Sequence, residues 1–178
     1  MADASSTADL VTIVCDLILK TISNGLSRIE FCALHRVSCE GWLKVELLQS
    51  LSLAIAVSNN EDANVRSELD NVDLTIWTPS QRVLLELKTF PTNYGRGGKP
   101  ITDFIGKVVK DLEKLSTKRG EATGLATWLA YPIPRPEPHY WSGHLRKVEK
   151  AASEISRSER LDLPIVGDQA YLYIMKSK

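Results

Sequence analysis

Residues 71–90, NVDLTIWTPSQRVLLELKTF, constrain this chain more than any other stretch. Val72, Leu74 and Ile76 alternate with polar or bulky neighbours, and Val83, Leu85 and Leu87 do the same beyond a Thr-Pro-Ser-Gln break. Period-two alternation on both sides of a proline-containing turn predicts a β-hairpin. With the turn centred on Pro79 and Ser80, Val72 meets Leu87, Leu74 meets Leu85 and Ile76 meets Val83, giving one wholly apolar face. A slip of one residue would set apolar against polar along the whole ladder, so the pattern favours this register. On the other face Trp77 meets Arg82, Thr75 meets Leu84, Asp73 meets Glu86 and Asn71 meets Lys88.

The Asp73–Glu86 pair carries the chemistry. Carboxylates directly opposite each other on a sheet repel, and burying them without a counter-charge costs several kcal/mol. Lys88 lies two residues beyond Glu86, on the same face, and supplies one positive charge. A divalent cation satisfies both carboxylates better. Two acids and a lysine converging on one face outline a metal-dependent hydrolytic site.

Asp73, followed by Glu86-Leu87-Lys88 at the end of an apolar strand, resembles the D…(D/E)-x-K signature of the PD-(D/E)XK, or restriction-endonuclease-like, nuclease superfamily; Val72 stands where the pattern has proline. The resemblance implies an α/β fold with an αβββαβ core, a central mixed sheet flanked by helices. It implies that Asp73, Glu86 and the Leu87 carbonyl hold Mg²⁺ or Mn²⁺, and that Lys88 orients or helps deprotonate the attacking water. Superfamily members often take a further acid from a helix before the hairpin, and Glu46 fits that position, holding a second metal or water. They also often place a polar residue of the following helix near the metal, which singles out Lys107.

The rest of the chain supplies the elements of such a core. Ser5, Ser6 and Thr7 offer caps for a helix to about Ser23, and residues 26–36 read as further helix. Ser38 can cap a helix running to about Val57 that is apolar around most of its circumference, the pattern of a buried helix. Glu46 sits within its apolar band, where an unpaired carboxylate is costly, whereas Glu40 reads as an exposed partner of Lys44. Residues 65–69 alternate as a strand, with Asp70 as a turn residue or second-choice ligand. Residues 91–100, PTNYGRGGKP, form a loop whose Arg96 and Lys99 either grip a phosphate backbone or belong to an ordinary connection. Residues 103–117 read as an amphipathic helix, its charged side solvated or, through Lys107, set against nucleic acid. A buried strand at 124–131 leads into a proline-rich connection. Its Arg135, His139, Tyr140 and Trp141 either stack on a nucleic-acid strand or anchor the loop. A helix over 142–158 and a strand over 170–175 close the chain.

At 178 residues this length predicts one domain, with residues 38–131 as the nuclease-like core and a helix before it and a helix and strand after it. Lys plus Arg, 22, equals Asp plus Glu, 22, so no overall basic field draws in nucleic acid, although a local patch can coexist with neutrality. Three cysteines without a CxxC pair argue against a disulfide scaffold and fit a reducing, cytoplasmic setting. Cys32, His35 and Cys39 have spacing that could suggest zinc, but three ligands without a second cluster read better as small buried thiols. No segment is apolar enough to span a membrane, and the start lacks the order of a signal peptide.

The function this predicts is a divalent-metal-dependent endonuclease acting on DNA, with a second copy or a targeting protein as further partner. The competing expectation is a catalytically inactive nuclease-fold module that works by binding protein or nucleic acid. Neutral charge and the lack of room for a targeting domain favour the latter.

Overall fold

The computed structural model describes residues 9–57, 62–92, 101–118, 120 and 122–178. Its elements run α1 (Leu10–Asn24), α2 (Leu26–His35), α3 (Glu40–Val57), β1 (Asn64–Ser67), a 3-10 turn (Leu69–Asn71), β2 (Leu74–Trp77), β3 (Arg82–Pro91), α4 (Ile101–Thr117), β4 (Ala122–Ile133), α5 (Trp141–Ala151), β5 (Ala152–Leu163) and β6 (Asp168–Ser177). The strands form one six-stranded mixed sheet in the order β1-β2-β3-β4-β6-β5, parallel only between β3 and β4. Parallel neighbours need a crossover, and α4 provides it.

The hairpin takes the register that its alternation predicts: Leu74 pairs with Leu85, Ile76 with Val83 and Trp77 with Arg82. Leu74, Ile76, Val83, Leu85 and Leu87 enter one core layer with Leu125, Leu129 and the inward residues of α1, α2 and α3. Leu84, Ala126, Trp128 and Tyr173 face the other way, into a second layer closed by α4 and α5. Val72 departs from expectation. It precedes β2, which begins only at Leu74, and it packs in the second layer with Leu84.

Three further expectations are corrected. The helix over 40–57 is not buried all round: Leu43, Leu47 and Leu51 face the core, while Val45, Leu53 and Val57 are exposed. Apolar residues spread evenly around a helix do not say which face packs. The helix expected to reach Ser158 stops at Ala151, and residues 152–163 form the edge strand β5, paired antiparallel with β6. Glu154, Arg157, Glu159, Arg160 and Asp162 give that edge the charges that discourage pairing with other chains. The caps expected from Ser5 to Thr7 lie outside the described residues. The Leu10 N–H at the start of α1 instead donates to Gln81 Oε1 at 2.8 Å, and Gln81 Nε2 donates to Asp9 Oδ1 at 2.9 Å, so the hairpin turn caps α1. Between α1 and α2 the chain passes so close to Trp42 that a Cβ on Gly25 would lie 2.1 Å from the indole. No single helix among the described residues is long and apolar enough to cross a membrane.

Candidate active site

The hairpin ladder ends at the Leu74–Leu85 pair, so β3 continues from Glu86 without its β2 neighbour. Backbone groups orphaned at such an edge must find other partners. The Leu87 N–H donates to Asp73 Oδ2 at 2.8 Å, and the Thr89 N–H donates to Glu40 Oε2 at 3.2 Å. The Leu87 carbonyl accepts from Lys88 Nζ at 3.1 Å. A notch one strand wide is thus lined by two carboxylates, a carbonyl and an ammonium.

Glu40 reaches the notch because the start of α3 is tied to the sheet. The Cys39 N–H donates to Thr89 Oγ1 at 3.1 Å and Tyr131 Oη at 3.0 Å, and the Ser38 and Thr89 hydroxyls are 2.9 Å apart. The Tyr131 hydroxyl donates in turn to the Val37 carbonyl at 2.9 Å. Burial keeps that phenol protonated by raising its pKa. One helical turn beyond Glu40, Lys44 sets its ammonium 2.7 Å from Asp73 Oδ1 and also against Glu68. From the other side of the sheet α4 contributes Lys114, which pairs with Glu86, and Asp111, whose Oδ2 lies 3.5 Å from Lys88 Nζ. That oxygen is buried without a hydrogen bond, and Lys88 also lies 3.7 Å from Glu40 Oε1.

The environment drives the two motif acids apart. Burial pushes Glu86 up to about 7; Lys114 opposes this, while Asp73 and Asp111 add to it. Burial also acts against the Asp73 carboxylate, but Lys44 and the Leu87 N–H outweigh it and hold its pKa below the ordinary value. Burial would strip Lys88 of its proton, yet Asp111, Glu40, Asp73 and Glu86 together raise its pKa. Asp111 is raised chiefly by burial. At neutral pH the site therefore holds an ionised Asp73, a Glu86 near its midpoint and an ammonium on Lys88.

The Asp73–Glu86 rung that the alternation predicts does not form: the ladder stops at Leu74–Leu85, and Asp73 instead accepts from the Leu87 N–H. Lys88 contributes counter-charge to both acids, but their direct partners are Lys44 at Asp73 and Lys114 at Glu86. Glu46 does not join them: it lies on another side of α3, where Oε1 accepts from Arg28 at 3.0 Å and from the Trp42 indole at 3.1 Å. Residues six apart on a helix point well away from each other, so Glu40 and Glu46 cannot serve one site. Nor is Glu40 the expected partner of Lys44; it faces Lys88. Lys107 is exposed on α4 with its ammonium 5.5 Å from the Phe104 ring, and Arg96 and Lys99 lie outside the described residues. Glu40, Lys44, Asp111 and Lys114 are the site residues that sequence reasoning missed. For the last two a signal existed: each adjoins an inward residue of α4, Leu112 or Leu115, and so sits at the margin of the buried stripe.

Of the candidates in the proline-rich connection, His139 and Tyr140 are exposed and only Trp141 is packed inside. Trp141 is buried and its indole donates to the Tyr173 hydroxyl at 3.3 Å, while Arg135 pairs with Asp162. Burial, with Cys39 beside it, pushes the Cys32 thiol up to about 11, a poor state for a zinc ligand. No group of three or more His, Cys, Asp or Glu among the described residues is arranged to hold a metal ion. The notch does offer two carboxylates and the Leu87 carbonyl, hard oxygens of the kind Mg²⁺ or Mn²⁺ takes, balanced by ammonium groups. No protein-family model, curated protein or solved structure matches the chain.

Proposed function

We propose that the chain is a divalent-metal-dependent nuclease that hydrolyses phosphodiester bonds in DNA, with a restriction-endonuclease-like core over residues 38–131. The notch carries this reading. Asp73 accepts from the Leu87 N–H and the Lys88 ammonium rests on the Leu87 carbonyl where β3 loses its neighbour, and Glu86 lies close enough for the Asp73 charge to raise its pKa. The sequence of elements α3, β1, β2, β3, α4, β4 supports it, being the αβββαβ order.

A bound Mg²⁺ or Mn²⁺ would supply a water of lowered pKa and neutralise charge developing on the phosphate. Asp73 and Glu86 would provide carboxylate oxygens to it, Glu86 in its ionised form. Lys88, held as an ammonium by the acids around it, orients the water and phosphate and steadies the pentavalent transition state, which suits it less to accepting a proton. Glu40 takes the role of the acid from the preceding helix. Lys114, turned away from Glu86, meets a phosphate oxygen.

One observation favours the second reading, a catalytically inactive module of the same fold. Asp73, Glu86 and Glu40 each have a lysine beside them, and Asp73 and Glu40 also cap backbone N–H groups, as a purely structural network would. Titrating Mg²⁺ or Mn²⁺ against the purified protein with supercoiled plasmid separates the two. Nicking that is lost in Glu86→Ala and Lys88→Ala supports the enzyme. Folding that is indifferent to metal, with no cleavage of any nucleic acid, supports the module.

A further inference from the structure

Two cavities, of about 500 and 370 Å³, share Arg82 and Lys118. The larger opens beside the hairpin turn and is also lined by Trp77, Thr78, Ser80 and Gln81; the smaller adds Asn71 and Leu84. The shared Arg82 and Lys118 join the two cavities into one trough beginning at the turn, and Leu84 in its wall lies on the same face of β3 as Glu86. Arg82 stands four residues before Glu86, ~13 Å along the strand. Lys118 follows Lys114, the partner of Glu86, by one helical turn, ~6 Å along the axis.

From this geometry we infer that the trough seats an unpaired nucleotide flanking the scissile phosphate, so that the DNA taken by the site is single-stranded there; the inference rests on the nuclease reading above. Trp77 is half-buried, and the Arg66 guanidinium lies 5.7 Å from the centre of its ring, a cation–π contact that steadies the indole. An aromatic plane with two cations beside it matches the two parts of a nucleotide: the base stacks on Trp77, and the phosphate meets Arg82 and Lys118. The volume lies within the range of small-molecule sites. A base inside a duplex has both faces covered by its neighbours and cannot stack on Trp77, whereas an unpaired base can. Lys107, Lys110 and Lys114 follow one another at intervals of three and four residues along one side of α4, with Asp111 among them, and Lys118 continues the row just past the helix end, a track for the backbone on either side of the notch. In a chain with no net charge, this concentrates positive charge beside the acids.

The test measures anisotropy of a fluorescein-labelled oligothymidylate, and of a duplex of equal length, binding to the full chain in EDTA. The single strand should bind more tightly than the duplex. Trp77→Ala should weaken single-strand binding about tenfold, and Trp77→Phe should restore most of it. Arg82→Glu and Lys118→Glu, both at the surface of the trough, should each weaken it and flatten its salt dependence. Equal affinity for the two forms overturns the proposal, as does single-strand affinity unmoved by the Trp77 and charge-reversal variants. Plasmid nicking measured alongside distinguishes this failure from failure of the nuclease reading. Metal-dependent nicking without a Trp77-dependent preference removes the nucleotide seat alone. Trp77-dependent single-strand binding without cleavage removes the nuclease and leaves the seat.

Discussion

Glu86→Gln tests whether Glu86 is an acid held against its preference. The gap between its ordinary value of 4.5 and about 7, at about 1.4 kcal/mol per pH unit, corresponds to about 3 kcal/mol of penalty for ionising it in the metal-free fold. The folded state binds the proton more tightly than the unfolded chain, so this group's contribution to stability is fully present below pH 4.5 and is lost as pH rises through about 7. Glutamine keeps an oxygen for Lys114 and cannot ionise. In urea unfolding with EDTA, Glu86→Gln should therefore be more stable than wild type at pH 8 by up to about 3 kcal/mol, and close to it at pH 4.5. If Glu86 and Lys114 instead form an ion pair that stabilises the fold, the variant will lose stability at pH 8. That result, or an equal difference at both pH values, refutes the reasoning. Mg²⁺ at a thousand times its Kd should reverse the order, because it adds about 4.1 kcal/mol to a chain that binds it when folded.

Glu40→Gln should reduce metal-dependent nicking at least tenfold, whereas Glu46→Gln should leave it intact and, with its exposed Arg28 pair, shift stability by under about 1 kcal/mol; the opposite ranking in a plasmid assay would restore Glu46 to the site. Asp73→Ala leaves the Leu87 N–H without its acceptor and should cost about 1–3 kcal/mol at pH 7. The Asp73 pKa is lowered, so its contribution is present above the ordinary value of 3.8 and lost as pH falls; acid titration of unfolding should show the two proteins converging, and a constant difference would contradict the assignment. Gly25→Ala drives a methyl into Trp42 and should destabilise by about 1–3 kcal/mol in thermal unfolding, while an unchanged Tm would mean that the junction yields freely.

Much of the hairpin was legible because period-two alternation names both partner and face, and Leu74, Ile76, Val83 and Leu85 have no other register that keeps them buried. The same logic failed at Val72, where a 3-10 turn intervenes before β2 and alternation no longer applies. Glu46 misled because α3 is apolar on nearly every side, and its wheel cannot reveal that Thr89 and Tyr131 anchor the N-terminal turn and so bring Glu40 to the notch. β5 was hidden because Leu145, Val148, Ala152 and Ile155 keep helical spacing across the point where the chain becomes an edge strand. Such a strand needs little apolar patterning, since its identity comes from the backbone of β6. Asp111 and Lys114 looked like part of a solvated face because a helix face shows its neighbours only once the sheet beneath it is known.

The central claim is that Asp73 and Glu86 will exchange their lysine partners for a shared divalent cation. Calorimetric titration of Mn²⁺ into the full chain at pH 8 measures this directly, with Asp73→Asn and Glu86→Gln as controls. A saturable binding event that either substitution abolishes is the predicted result. Absence of saturable binding, or binding unaltered in both variants, would contradict it.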